Sequence, residues 1–164
     1  RPSVLGEVHD HARYTRVVPF NDLAALEAAL APGDVACLLA EPALTNCGLV
    51  PPQPGFWDAA RALCRRHGAL LVMDETHTLS SALGGHARAH GIDPDLLVVG
   101  KAVAGGLPCA VYGFSHAVAQ RMAADGPVPA HHVLDAFLGR VLAPPGLADQ
   151  RQDCFRRDAH LVGC

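Results

Sequence analysis

The sequence predicts an α/β fold in three layers, in which a mostly parallel β-sheet carries helices on both faces. Apolar runs of strand length alternate with helical segments along the first two thirds of the chain. Such alternation is typical of parallel sheets whose strands are buried on both faces. The composition agrees, because 50% of the residues are hydrophobic and only 5% are aromatic. A chain of 164 residues is long enough for one domain with a substantial core.

The first elements predict a strand, a helix and a second strand. Residues 17–21 (VVPFN) indicate a short strand or an extended segment. Asn21 or Asp22 then caps a helix over residues 22–31. Residues 34–42 (DVACLLAEP) form a continuous apolar run that ends in Glu-Pro. We expect this run to be a strand that is buried on both faces.

The same pattern then repeats. A loop leads to a predicted amphipathic helix over FWDAARALCRRHG (56–68), where glycine is the stop signal. The strands expected after it are ALLVMDE (69–75), DLLVVGK (95–101) and CAVYGF (109–114). Glu41, Asp74 and Lys101 each lie at the carboxyl end of a predicted strand. Ligands of parallel α/β sheets bind at that edge, so these residues are candidates for a site.

The pattern changes from residue 115 onward. Residues 115–126 predict a helix, and 131–146 predict one amphipathic helix. Residues 147–164 show no usable period. We therefore expect the chain beyond about Met122 to pack poorly on the sheet.

Composition and spacing exclude several classes of function. The net charge is −3, and no Lys/Arg cluster is long enough to follow a phosphate backbone, so we expect no nucleic-acid partner. No apolar run reaches the roughly 18 residues that span a bilayer, and we expect no membrane segment. The six cysteines are scattered without a C-x-x-C pair, which argues against a disulfide framework or a zinc ribbon. A reducing, cytoplasmic setting is expected.

Asp74 lies within the stretch LLVMDETH (70–77), which also resembles the Walker B strand or DExH box of an ATPase. A Walker A loop, G-x-x-x-x-G-K-[ST], would have to accompany it, because its amides and hydroxyl bind the phosphates and magnesium. The only Gly-Lys pair is Gly100-Lys101, with Ala102 in place of the hydroxyl residue and Asp95 in place of the first glycine. An anion there would repel phosphate. The ATPase hypothesis remains the weaker alternative.

A metal site is a second alternative. His86 and His90 are spaced to share a helix face, and Glu75, His77 and the pair at 131–132 are further potential ligands. There is neither a cysteine pair nor an H-E-x-x-H motif. We expect solvated or locally hydrogen-bonded histidines and no metal.

A third interpretation pairs Asp74 with Lys101. Pyridoxal phosphate requires a lysine that holds it as an imine and a carboxylate against its pyridine nitrogen. Two adjacent parallel strands can present both groups to one crevice. Taken singly, Lys101 could be a surface residue of a glycine turn and Asp74 a carboxylate that caps a loop.

Four motifs between Glu41 and Pro108 favour the third interpretation. They are E-P-x-x-x-N-x-G, P-x-P-G-F, an apolar run ending in D-E, and P-D-apolar-G-K followed by G-G-L-P. Together they resemble the class III, fold-type I aminotransferases, and in particular the glutamate-1-semialdehyde aminomutase-like and β-amino-acid aminotransferase-like members. The resemblance extends from about Val17 to Met122.

The resemblance implies pyridoxal 5′-phosphate as cofactor and assigns roles by position. Lys101 corresponds to the imine-forming lysine that carries the proton, and Asp74 to the partner of the ring nitrogen. Thr76 lies where the family usually has a valine against one ring face. Asn46 lies in the loop that approaches the phenolic oxygen, and His77 lies beside the ring.

The resemblance further implies transfer of an amino group between an amino acid or amine and a keto acid or aldehyde. It also implies a homodimer with the site at the subunit interface. Glu41 is expected to brace the loop rather than to touch substrate. Residues 1–122 would be a partial cofactor-binding large domain, and 123–164 a divergent, poorly ordered tail that a frameshift, another exon or a fusion would explain.

Family members are more than twice as long as this chain, and their phosphate-binding loop does not occur in it. Two interpretations therefore stay open. The chain is a truncated enzyme, or it is a non-catalytic remnant that docks on a full-length subunit.

Overall fold

The computed structural model describes residues 14–124 and the strand at 160–163. In chain order the elements are β1 (Thr15–Val17), α1 (Leu23–Leu30), β2 (Val35–Ala40), α2 (Phe56–His67), β3 (Leu70–Asp74), α3 (Gly85–Ala89), β4 (Leu96–Val99), β5 (Val111–Phe114), α4 (His116–Ala124) and β6 (His160–Gly163). They form one sheet in the order β1-β6-β2-β3-β4-β5. The first five strands of that order pair in parallel, and β5 is antiparallel to β4. The predicted α/β fold with a mostly parallel sheet is confirmed.

The first strand and helix show where local signals succeed and fail. Asp22 caps α1, because its side chain accepts a hydrogen bond from Ala25 N at 2.8 Å. Of the short strand or extended segment predicted at 17–21, only Val17 lies in a strand, since β1 covers Thr15–Val17. The rest of the predicted segment includes Pro19, which has no N–H to donate to the ladder.

The core lies between the sheet and helices α1 and α2. Helix α2 buries one apolar stripe and ends at Gly68, whose left-handed φ of 72° suits glycine. Phe20, Phe56 and Trp57 pack ring against ring at its start, with centroids 4.9–5.9 Å apart. On the sheet side the core residues include Leu38, Ala40, Leu71 and Met73.

Burial on both faces of every central strand was predicted, and this is wrong for β2. Leu38 is fully buried, whereas its neighbour Leu39 is 39% exposed. Successive side chains of a strand point to opposite faces, so a continuous apolar run does not require both faces to be covered. All four residues of β5 are exposed as well. In β3, by contrast, Leu71, Val72 and Met73 are all buried.

The C-terminal segment contributes a strand to the sheet. Strand β6 lies between β1 and β2 and pairs in parallel with both. For residues 160–163, the expectation that the tail packs away from the sheet is therefore wrong. The helix predicted at 131–146 lies outside the described residues, whereas the one predicted at 115–126 is present as α4. No helix in the described part of the chain is long and apolar enough to cross a membrane.

Candidate active site

The carboxyl ends of β2, β3 and β4 meet at one edge of the sheet. Leu38 is in register with Leu71, and Met73 with Leu97, so the parallel strands end side by side. A small pocket lies at this edge. It is lined by Glu41, Asn46, Asp74, Thr76, His77 and Lys101. The structure thus brings together all five residues that the sequence nominated for the cofactor site, with Glu41 beside them.

The loop after β2 is held by a hydrogen bond from α2 and by two backbone hydrogen bonds of its own. Trp57 Nε1 donates a hydrogen bond to Pro42 O at 2.9 Å. Leu44 and Val50 exchange two backbone hydrogen bonds of 3.0 Å and so close the loop on itself. The closed turn holds Asn46 at the edge of the pocket.

Asp74 is the last residue of β3 and is partly buried. Its Oδ1 accepts a hydrogen bond from Thr76 N at 2.9 Å, which orients the carboxylate. The hydroxyl of Thr76 accepts a hydrogen bond from Gly100 N at 3.0 Å. The Thr76 hydroxyl therefore has a partner, and it joins the ends of β3 and β4 directly before Lys101.

Lys101 begins a short 3₁₀ turn after β4. Its φ is 47°, which is an uncommon conformation for a residue with a side chain. Backbone strain of this kind costs on the order of 1–3 kcal/mol and is concentrated at functional sites. The side chain of Lys101 is exposed and lines the pocket.

Glu75 has a role that the sequence analysis missed. Its side chain is fully buried, and its two oxygens accept hydrogen bonds from His86 N at 2.8 Å and Ala87 N at 2.7 Å. At Gly85 the φ is 87°, and a Cβ would lie only 2.9 Å from Glu75 Cδ, so glycine is required. In the sequence, the pair Gly84-Gly85 ahead of a short helix was the one indication that another group approaches the backbone closely there. Because both of its oxygens accept hydrogen bonds from backbone amides, Glu75 is not free to activate water as the catalytic carboxylate of an ATPase would.

The histidines of the rival metal hypothesis do come together. The rings of His86 and His90 stack at a centroid distance of 4.0 Å. Burial lowers the pKa of His86, and the charge of His90 lowers it further, against an opposing effect of Glu75. Within residues 14–124 there is no group of three or more metal-ligating side chains.

Thr45 is a second residue that the sequence analysis did not single out. Its Oγ1 hydrogen-bonds to Glu41 Oε2 and lies 2.6 Å from His77 Nδ1. Glu41 therefore braces the loop after β2, as expected. No spacing rule would have found the contact between Thr45 and His77, because 32 positions separate them.

Fold and pocket together define a class of protein. It is a parallel α/β protein with an aspartate and a lysine in one pocket at the carboxyl edge of its sheet. The model of the family "Aminotransferase class-III" matches residues 6–135. The chain belongs to that family.

Individual relatives agree with the family assignment. Glutamate-1-semialdehyde 2,1-aminomutase of Sorangium cellulosum is 45% identical over 130 residues, which are 77% of this chain and 30% of the relative. A glutamate-1-semialdehyde aminomutase from Pseudomonas aeruginosa PAO1, solved in complex with PMP, superposes with a TM-score of 0.73 and 51% identity over 79% of this chain and 28% of its own. A β-phenylalanine aminotransferase from Variovorax paradoxus superposes with a TM-score of 0.61 and 34% identity, over 70% of this chain and 27% of its own. The chain thus spans about 30% of the length of the curated relatives it matches.

Proposed function

We propose that this chain carries the cofactor-binding centre of a pyridoxal-phosphate-dependent aminotransferase or aminomutase. The observation that carries the proposal is the shared pocket of Asp74 and Lys101 at the ends of adjacent parallel strands. The ATPase alternative has no comparable support, because the two oxygens of Glu75 bind the backbone of α3.

The residues present fit the cofactor chemically. Asp74 keeps one carboxylate oxygen on Thr76 N, and its other oxygen makes no hydrogen bond within the described residues. That oxygen would bind the protonated ring nitrogen. When bound, pyridoxal phosphate supplies an electron sink for the substrate's α-carbon. Lys101 Nζ would hold the cofactor covalently at rest and, once displaced by the substrate amine, would move the α-carbon proton as a free amine, while Thr76, Asn46 and His77 would contact the ring.

Substrates and assembly form part of the same proposal. The family resemblance supports an amino acid or amine as donor, a keto acid or aldehyde as acceptor, and a homodimer with the site at the interface. Sedimentation velocity would test the dimer. The division at about residue 122 into a partial large domain and a divergent tail is also proposed. A cytoplasmic setting is supported by the cysteine pattern.

The direct test is covalent labelling of Lys101, the chain's only lysine. The folded chain and the same chain in urea are titrated with pyridoxal phosphate and reduced with borohydride, and the labelled amine is mapped by mass spectrometry. A formed pocket should lower the half-labelling dose of the folded chain at least about fivefold, which corresponds to about 1 kcal/mol. Asp74→Asn should raise the dose again, because a neutral amide attracts the protonated ring less.

The same titration decides between enzyme and remnant. Equal doses for folded and unfolded chains, indifferent to Asp74→Asn, would leave a non-catalytic remnant that docks on a full-length subunit. In a full-length homologue with these motifs, the lysine-to-alanine change at position 101 should abolish the visible absorbance of the bound cofactor. Cofactor affinity should fall less than activity, since the aspartate remains.

A further inference from the structure

Glu41, Thr45 and His77 form a chain of hydrogen bonds at the edge of the pocket. Thr45 Oγ1 bonds to Glu41 Oε2 and lies 2.6 Å from His77 Nδ1, whereas His77 Nδ1 and Glu41 Oε2 are 3.7 Å apart. The hydroxyl therefore bridges the two groups. The three residues come from the loops after β2 and β3, which neighbour each other because those strands pair.

The number of protons determines the direction of these bonds. A threonine hydroxyl has a single proton to donate, and an ionised carboxylate can only accept. Thr45 must therefore donate to Glu41, and its oxygen must accept from His77 Nδ1–H. His77 then carries its proton on Nδ1, and Nε2 is an unprotonated acceptor. Within the described residues Nε2 makes no hydrogen bond, and the ring lines the pocket with Asp74 and Lys101.

We infer that Thr45 and Glu41 are positioning residues that hold His77 as the Nδ1–H tautomer, so that Nε2 accepts a hydrogen bond from the bound molecule. The ligand must then offer an N–H or O–H donor at this side of the pocket. The identity of the ligand rests on the proposed function, whereas the tautomer does not.

In the alternative, Thr45 only links the loops after β2 and β3 and does not select a tautomer of His77. In that case a protonated Glu41 would donate to Thr45 Oγ1, the Thr45 proton would point to His77 Nδ1, and the histidine proton would lie on Nε2. The two cases differ in a measurable quantity, the protonation of each ring nitrogen of His77 in the cofactor-free chain.

Nitrogen-15 NMR of the full chain with labelled histidine measures that quantity. The signals of His77 are identified by their loss in His77→Gln. We expect the wild-type ring to show a protonated Nδ1 and an unprotonated Nε2. A protonated Nε2 in the wild-type chain would overturn the inference, and this measurement requires no other variant.

Two variants at position 45 sharpen the test. Thr45→Val keeps the shape but removes the hydroxyl, so the Nδ1–H signature should be lost. Thr45→Ser restores the hydroxyl and should restore the signature. Backbone amide spectra that match the wild type away from the pocket establish that both variants fold. An unchanged His77 signature in folded Thr45→Val would contradict the inference.

The Lys101 labelling titration connects the tautomer to the ligand. Thr45→Val should raise the half-labelling dose severalfold, and Thr45→Ser should not. If Thr45→Val loses the Nδ1–H tautomer of His77 but keeps the wild-type half-labelling dose, then His77 Nε2 does not accept a hydrogen bond from the bound molecule. A failure of selective Lys101 labelling in the wild-type chain would instead count against the proposed function, while the NMR result would still decide the tautomer.

Discussion

At the scale of single residues, the conformation of Lys101 depends on the hydrogen bond made one position earlier. Gly100 N donates to Thr76 Oγ1 at 3.0 Å, and the next residue turns into a φ of 47°. This bond fixes the backbone directly before Lys101, whose exposed side chain lines the pocket.

The first prediction concerns Thr76. Thr76→Val keeps the shape and removes the acceptor of Gly100 N, so the free energy of unfolding should fall by about 1–2 kcal/mol. The backbone amide of Gly100 should also exchange faster with solvent. Hydrogen exchange and urea unfolding measure the two effects. Thr76→Ser, which keeps the hydroxyl, is the control, and equal protection of Gly100 in the valine variant would contradict the assignment.

Sequence patterns located the pocket residues that stand at strand ends, and missed roles that depend on contacts between elements. Asp74 and Lys101 were predictable because apolar runs stop at them. Thr45 was not, because its role depends on a histidine 32 positions away. The role of Glu75 depends on two backbone amides of α3, and the Gly-Gly pair was its one indication in the sequence. Periodicity describes single elements, whereas such contacts form only after the elements have assembled.

At the scale of elements, the crossover from β3 to β4 is held by a partly buried ion pair. Asp95 hydrogen-bonds to Arg61 through both of its oxygens and also accepts from Leu71 N at 2.8 Å. Burial by itself would raise the pKa of Asp95, but the hydrogen bond from Arg61, the one from Leu71 N and the charges of Arg61 and Arg65 outweigh it. The pKa lies below its ordinary value of 3.8.

The second prediction follows from that pKa shift. Because the folded pKa is depressed, the ionised carboxylate of Asp95 contributes stability above about pH 4, and this contribution is lost as the pH falls through the folded pKa. Asp95→Asn should cost about 2–3 kcal/mol at pH 7, and its difference from wild type should shrink toward acid pH. Urea unfolding at several pH values measures this.

Asp93→Asn is the matched control for the ion pair. Its side chain is 72% exposed and pairs with Arg65 at 3.0 Å. Exposed pairs contribute about 1 kcal/mol or less, so this variant should stay close to wild type. Equal losses at positions 93 and 95 would show that burial does not govern the contribution of Asp95.

At the scale of the whole molecule, local sequence patterns determine only part of the strand order of the sheet. Strands β2, β3, β4 and β5 are neighbours in chain order, and the alternation of strands and helices predicted a mostly parallel sheet but neither this order nor the antiparallel β5. The insertion of β6 between β1 and β2 was not predictable, because four residues, HLVG, are too short to show a period. Coverage of the second sheet face was mispredicted for the same kind of reason, since the apolar run of β2 does not specify what packs on it.

The last prediction uses two adjacent leucines of β2 to determine which sheet face supports the fold. Leu38 is fully buried in the core beside Leu71, and Leu39 is 39% exposed on the opposite face. Leu38→Ala should lower the free energy of unfolding by about 2–5 kcal/mol, because it removes buried methyl groups and leaves a cavity. Leu39→Ala should cost less than about 1 kcal/mol, since much of its surface stays in water. Urea unfolding followed by circular dichroism measures both.

Leu70→Ala serves as a second exposed control at 38% exposure. If Leu38→Ala is unfolded without denaturant while both controls stay folded, the core lies on the side of α1 and α2. A loss at Leu39 as large as the loss at Leu38 would mean that the second face is covered in solution.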